Sequence, residues 1–145
     1  MNKKPNEETI QAWIQLHHAH RLLLETVEKS LKDAGLPPLG WYDVLLELHR
    51  EKTAGLRQYE IGKKILLSKH NLSRLIDRLE KDNLVIRHTC IEDGRGNRIK
   101  ITSEGVKIMK KIWPVYSRSI QENFGIKLAS SEFLELQRIL KKILV

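Results

Sequence analysis

QYEIGKKILLSKHNLSRLIDRLEKDNLVIRHTCIEDGRGNR, residues 58–98, is the stretch whose reading decides the fold. Within it Leu72, Leu75, Ile76 and Leu79 recur at the i, i+3, i+4, i+7 spacing of a helix with one buried stripe, and polar or charged residues fill the positions around them. A shorter helix, about Arg57 to Ile65, precedes it and offers Ile61 and Ile65 to a core, while Gly62 lets another helix approach closely. Only Leu66 and Leu67 then separate it from Ser68, a residue type that caps a helix by accepting a hydrogen bond from an otherwise unpaired backbone donor. Asn83 ends the second helix. Leu84, Ile86, His88 and Cys90 then alternate with Val85, Arg87 and Thr89 at the two-residue period of a strand. Residues 92–97 form a turn by composition, and Arg98 to Ile101 return as the partner strand, with Ile99 and Ile101 inward and Arg98 and Lys100 outward. Helix, tight turn, helix and a two-stranded ribbon with a basic, glycine-rich tip make the layout of a winged helix-turn-helix.

Outward from this stretch the pattern is helical. On the N-terminal side, Glu7 to about Asp33 carries Ile10, Trp13, Ile14, Leu24, Val27 and Leu31 on one broad face, shared by His17 and His20. Gly35 and the Pro37-Pro38 pair stop that helix, and a second begins near Leu39 with Trp41, Val44, Leu45 and Leu48 at helical spacing. On the C-terminal side Thr102 caps a long helix through Val106, Met109 and Ile112, with a kink expected at Pro114. After Gly125, Ser130 or Ser131 starts a last helix with Phe133, Leu136, Leu140 and Ile143 as apolar positions. The fold class is therefore mainly α with a small β-wing.

At 145 residues the chain suits one domain with a substantial core. No apolar run approaches the roughly 18 residues that span a bilayer, and the start, MNKKPNEET, has no apolar segment behind its basic residues, so neither a membrane span nor a signal peptide is expected. A single cysteine leaves no intrachain disulfide, in keeping with a cytoplasmic setting. The net charge of +8 is uneven: residues 1–56 carry 7 basic and 8 acidic side chains, residues 57–101 carry 11 and 6, and residues 102–145 carry 8 and 4. The helix-turn-helix segment is thus the most basic, and basicity coincident with that motif points to double-stranded DNA more strongly than basicity alone.

The first turns of the second motif helix hold Ser68, Lys69, His70, Asn71, Ser73 and Arg74, donors suited to base edges and phosphates in a major groove. At the ribbon tip Arg95 is free to enter a narrow minor groove, with Asp93 to orient it, and Arg98 and Lys100 suit phosphate contacts. The competing reading of both features is a solvated face and a solvated hairpin tip. On that alternative the chain is a winged-helix module that binds a protein partner without specific DNA binding. An enzyme is not expected, since there is no glycine-rich phosphate loop, activated nucleophile signature or metal triad. His17 and His20 lie one turn apart, but a zinc site wants three or four ligands, so packing in a core or pocket is the better reading and neither metal nor cofactor is expected.

The order of elements, the run from Leu67-Ser68 through Arg74-Leu75-Ile76-Asp77-Arg78-Leu79-Glu80 to Val85, the wing Asp93-Gly94-Arg95, and Ile101-Thr102 followed by Glu104-Gly105 resemble the MarR family of transcriptional regulators over nearly the whole chain. Asn83 stands where that family usually has glycine, and Asn tolerates the left-handed conformation such a position requires. The resemblance implies a homodimer, with about 1–35 and 103–145 as dimerisation helices and about 39–101 as the DNA-binding region. It also implies a repressor of a pseudo-palindromic operator, released by a small aromatic or anionic effector. Trp13, His17, His20, Trp41 and Tyr42 would line the effector cleft, with core packing as the rival reading. Asp43 joins this set because Asp43, Arg74 and Arg87 resemble three positions of the family's urate-responsive subgroup, with Trp13 as a fourth, although arginine at 74 and 87 is common across the family. Cys90 is not an expected oxidation sensor, since peroxide-sensing members place their reactive cysteine near the N-terminus.

Overall fold

Asn6 starts the first helix. Its Oδ1 accepts the Thr9 N–H at 2.9 Å and the Thr9 hydroxyl at 2.7 Å, satisfying a donor that the first turn leaves unpaired. Helix α1 then runs Glu7–Asp33 without interruption. It closes where Gly35, at φ 71°, donates to the Lys32 carbonyl and Leu36 to that of Leu31, the paired bonds of a Schellman ending. Pro37 and Pro38 follow and α2, Leu39–Glu51, begins. The computed structural model describes residues 3–51, 54–65, 69–89 and 97–145. Ser68, Cys90, Asp93 and Arg95 lie outside the described residues, and so does the side chain of Lys69.

The remaining elements are β1 (Leu56–Arg57), α3 (Gln58–Lys64), α4 (Lys69–Lys81), β2 (Val85–Thr89), β3 (Asn97–Ile101), α5 (Ser103–Asn123), a 3-10 turn at Gly125–Lys127 and α6 (Ser130–Leu144). They divide into two units, Leu31–Val115 and Met1–Ser30 with Tyr116–Val145. α5 continues through Pro114 as one helix. Among the described residues no helix is long and apolar enough to cross a membrane.

In the Leu31–Val115 unit the expected two-stranded ribbon is a three-stranded antiparallel sheet, order β1-β3-β2. Leu56 pairs with Ile99 and Arg57 with Arg98, while Val85 pairs with Ile101 and Arg87 with Ile99. The extra strand has only two residues, too few to show alternation, so no periodic signal could announce it. Gly55 makes room for it: at φ 73°, a Cβ there would lie 2.7 Å from the Ile99 carbonyl oxygen. Leu72, Ile76 and Leu79 of α4 are buried with Val44, Leu45 and Leu48 of α2, Ile61 of α3, Val85 and Ile99, so the predicted stripe is the core face. Leu75 is half-buried.

α4 ends in a second Schellman turn. Asn83 sits at φ 61°, its N–H donating to Glu80 at 3.0 Å and that of Leu84 to Leu79 at 2.9 Å. Asparagine here does glycine's work, as anticipated. Thr102 locks this corner to α5: its N–H donates to the Leu84 carbonyl at 3.0 Å and its hydroxyl to the Asn83 carbonyl at 2.7 Å. The same hydroxyl oxygen accepts the Gly105 N–H at 3.0 Å as the cap of α5.

The Met1–Ser30 and Tyr116–Val145 unit has few buried side chains. Val27 is buried, and so is Ser119, whose oxygens accept from Ser30 and Asn123. Phe124 stacks on Phe133 at 4.9 Å. α6 buries no residue, and Ile10, Trp13, Leu22, Leu134 and Ile143 are exposed.

Candidate DNA interface

The outward face of α4 is polar because its inward face is not. His70, Asn71 and Arg74 are exposed and Ser73 half-buried in the first turns, while Leu72 and Ile76 hold the helix to the core between them. The α4 N-terminus also carries the positive end of the helix dipole, which attracts anions. α4 makes no acidic contribution in its first turn. α3 packs beside it, with Gly62 placing its backbone where a Cβ would touch Leu72 Cδ2 at 3.4 Å.

In the sheet, Ile86 pairs with Lys100 and His88 with Arg98, so these four side chains share the outward face. Arg98 and Lys100 are half-buried there and His88 is exposed. Ile99 is fully buried on the opposite face, and Ile101 half-buried. Arg87, also on the inner face, reaches α4: Nη2 donates to Asp77 Oδ1 at 2.7 Å and Nη1 to Glu80 Oε1 at 2.8 Å.

The six residues expected to line an effector cleft fall into separate local settings. Trp13 and His17 touch, ring centroids 4.4 Å apart, and both are exposed along α1, as is His20 one turn on. Within the chain the two histidines are therefore not core residues, which overturns the core half of the expected core or pocket packing. Trp41 lines an open groove of about 590 Å³ with Pro37, Pro38, Asp82, Leu84 and Ile108. Tyr42 is buried and stacks on Trp113, centroids 6.1 Å apart. Burial pushes its hydroxyl above the ordinary tyrosine value, opposed by the charge of Arg50 and reinforced by that of Asp43, itself half-buried. Among the described residues no group of three His, Cys, Asp or Glu is placed to hold a metal ion.

A model of the MarR family matches residues 34–96. The HTH-type transcriptional regulator MhqR of Bacillus subtilis (strain 168) is 28% identical over 137 residues, 94% of this chain and 92% of MhqR. AbsC, a MarR family transcriptional regulator from Streptomyces coelicolor, is 30% identical with a TM-score of 0.83, covering 98% of this chain and 95% of AbsC. The chain belongs to the MarR family. A second MarR structure, Sco3205 from Streptomyces coelicolor in complex with DNA, gives a TM-score of 0.88 at 25% identity, over 99% of this chain and 89% of Sco3205. The protein is thus a DNA-binding transcriptional regulator of the MarR winged-helix type.

Two features of this MarR reader domain escaped the sequence reading. Tyr59 on α3 is exposed, with the Lys63 ammonium 5.5 Å from its ring centroid, which adds a polar, cationic patch on the first helix of the motif. For Arg87 the sequence offers a place in an alternating strand and a resemblance to the urate-responsive subgroup, but not its carboxylate partners. The carboxylates it binds are seven and ten residues away, and no helical or strand period links them.

Proposed function

We propose that the protein is a homodimeric repressor that occupies a pseudo-palindromic operator, with α4 of each protomer in successive major grooves roughly 34 Å apart. The observation that carries this is the outward face of α4, where His70, Asn71 and Arg74 are presented at a helix N-terminus braced from behind by buried leucine and isoleucine. Ser68, Lys69 and Ser73 complete the reading helix. The wing contributes Arg95, oriented by Asp93, to a minor groove, and Arg98 and Lys100 to phosphates. The DNA complex of Sco3205 supports this use of the fold.

The exposed apolar residues of α1 and α6 support the homodimer, since a second copy would remove them from water. A small aromatic or anionic effector would then release the operator by favouring a dimer whose readers no longer match the groove spacing, with Trp13, His17 and His20 as candidate contacts on α1 and Trp41, Tyr42 and Asp43 as candidate contacts on α2. Nothing in this reading needs a metal, a cofactor or a membrane, and the regulator acts in the cytoplasm.

The test is selection of genomic fragments by the purified protein at near-physiological salt, followed by footprinting. A protected pseudo-palindrome spanning two major grooves is the expected result. Weak, sequence-independent binding without a steep salt dependence would overturn the proposal.

A further inference from the structure

The Arg87 guanidinium ties the strand β2 to the helix α4 by gripping two carboxylates at once, Asp77 at 2.7 Å and Glu80 at 2.8 Å. Its side chain is 24% exposed, and Asp77 and Glu80 are more so, which leaves the two carboxylates facing whatever α4 faces. Their position on α4 matters. His70, Arg74, Asp77 and Lys81 follow one another at i, i+4, i+7, i+11, so the Asp77 carboxylate lies on the same outward stripe as two candidate DNA ligands. An uncompensated carboxylate on that stripe would repel phosphates.

The geometry has a mechanical side as well. Leu72, Ile76 and Leu79 fix which face of α4 is inward, but an apolar stripe resists rocking of the helix less than directional bonds do. A planar guanidinium bound at both ends to residues one helical turn apart sets the angle between helix and strand, which a lysine, as a point donor, does not.

We infer that Arg87 is a positioning residue for DNA reading, which offsets one of the two negative charges of Asp77 and Glu80 and holds α4 at a fixed angle to the wing without itself touching DNA. This role rests on α4 being the reading helix. Exposed ion pairs add little to the stability of a fold, so its mark is expected in affinity and not in melting.

The experiment uses the full chain and a duplex recovered by the wild-type protein in fragment selection. It compares Arg87→Gln, the double variant Asp77→Asn/Glu80→Gln, and the triple variant. Arg87→Gln should weaken binding about tenfold, within the range by which residues that touch no ligand shift its affinity. The double variant should also weaken binding although it removes two negative charges from a DNA-facing surface, and the triple should be no worse than Arg87→Gln alone. The salt slope of Arg87→Gln should shrink by well under one, since the freed carboxylates repel phosphates only until salt screens them.

Should Arg87→Gln fail to fold, Arg87→Lys keeps the charge and loses the fork, and an intermediate loss of affinity at an unchanged melting temperature is expected. Equal or tighter binding by the double variant would overturn the brace. So would a salt slope for Arg87→Gln smaller by about one, the sign of a lost phosphate contact. If the wild-type protein selects no duplex at all, the reading helix itself is refuted, and the role of Arg87 with it.

Discussion

Gly105→Ala should be among the most damaging single changes in the chain, although it adds one methyl group. A Cβ at position 105 would fall inside contact distance of the Leu84 carbonyl oxygen, 2.7 Å from Ile101 Cγ1 and 3.2 Å from the Leu84 carbonyl carbon. Ile101 can rotate away, but the Leu84 carbonyl cannot. It accepts the Thr102 N–H at 3.0 Å and belongs to the turn that ends α4. The start of α5 must therefore withdraw by roughly 1 Å to restore ordinary heavy-atom separations. That movement strains the Thr102 to Leu84 bond and the Gly105 to Thr102 cap, each contributing about 1 kcal/mol, on top of about 1–3 kcal/mol for overpacking. The gain of replacing glycine by alanine in a helix offsets about 0.5–1 kcal/mol of this. A net loss of about 2–4 kcal/mol is expected, or about 5–15 °C in melting temperature for a chain of this size. Urea unfolding at fixed protein concentration measures it, with the midpoint shifted and the slope unchanged. Gly40→Ala is the control, because its Cβ would meet only Leu75 Cδ2 at an ordinary 3.5 Å, and no loss is expected. A Gly105→Ala loss below about 1 kcal/mol would mean the α4 to α5 corner yields freely, and the close-approach argument would fail.

Arg74→Ala should weaken duplex binding by about 1–3 kcal/mol and leave folding intact, as read by fluorescence anisotropy alongside a thermal melt. Arg95→Ala should do the same from the wing, and undiminished affinity in a folded variant would remove the wing from the mechanism. Asn83→Ala should cost about 1–2 kcal/mol, since it places an ordinary side chain at φ 61°, whereas Asn83→Gly should be close to neutral in the same urea assay. Tyr42 gives a pH signature. Its raised value means the folded protein keeps a proton that the unfolded chain releases, so this stabilising contribution is present below about pH 10 and is lost as pH rises through the folded value. Alkaline stability curves should therefore fall less steeply for Tyr42→Phe than for the wild type.

Periodicity made the reader domain legible because each of its helices buries a stripe against a core within the same chain. Leu72, Ile76 and Leu79 are at 2% exposure or below, and the residues between them face outward as the spacing required. Asn83 and Thr102 were legible for a different reason: each does a local job, a left-handed turn and a helix cap, that its own side-chain chemistry permits. The same logic fails for α1 and α6. Their apolar positions do fall on helices, yet within one chain Trp13 and Ile143, both named from spacing, remain more than 60% exposed. Spacing identifies an apolar face, but it does not say whether the face is covered by the same molecule or by another.

What the sequence could not reveal were relations between residues that no backbone period connects. β1 exists because Gly55 lets two residues lie against Ile99 and Arg98, and a pair of residues has no alternation to detect. The Arg87 fork joins a strand to two positions of the preceding helix, and both distances along the chain depend on where Asn83 turns the backbone. Lengthening or shortening that turn by one residue would carry the guanidinium to the opposite face of the sheet. The turn therefore does more than stop α4. By fixing the register of β2 it decides whether the Arg87 guanidinium reaches Asp77 and Glu80 at all.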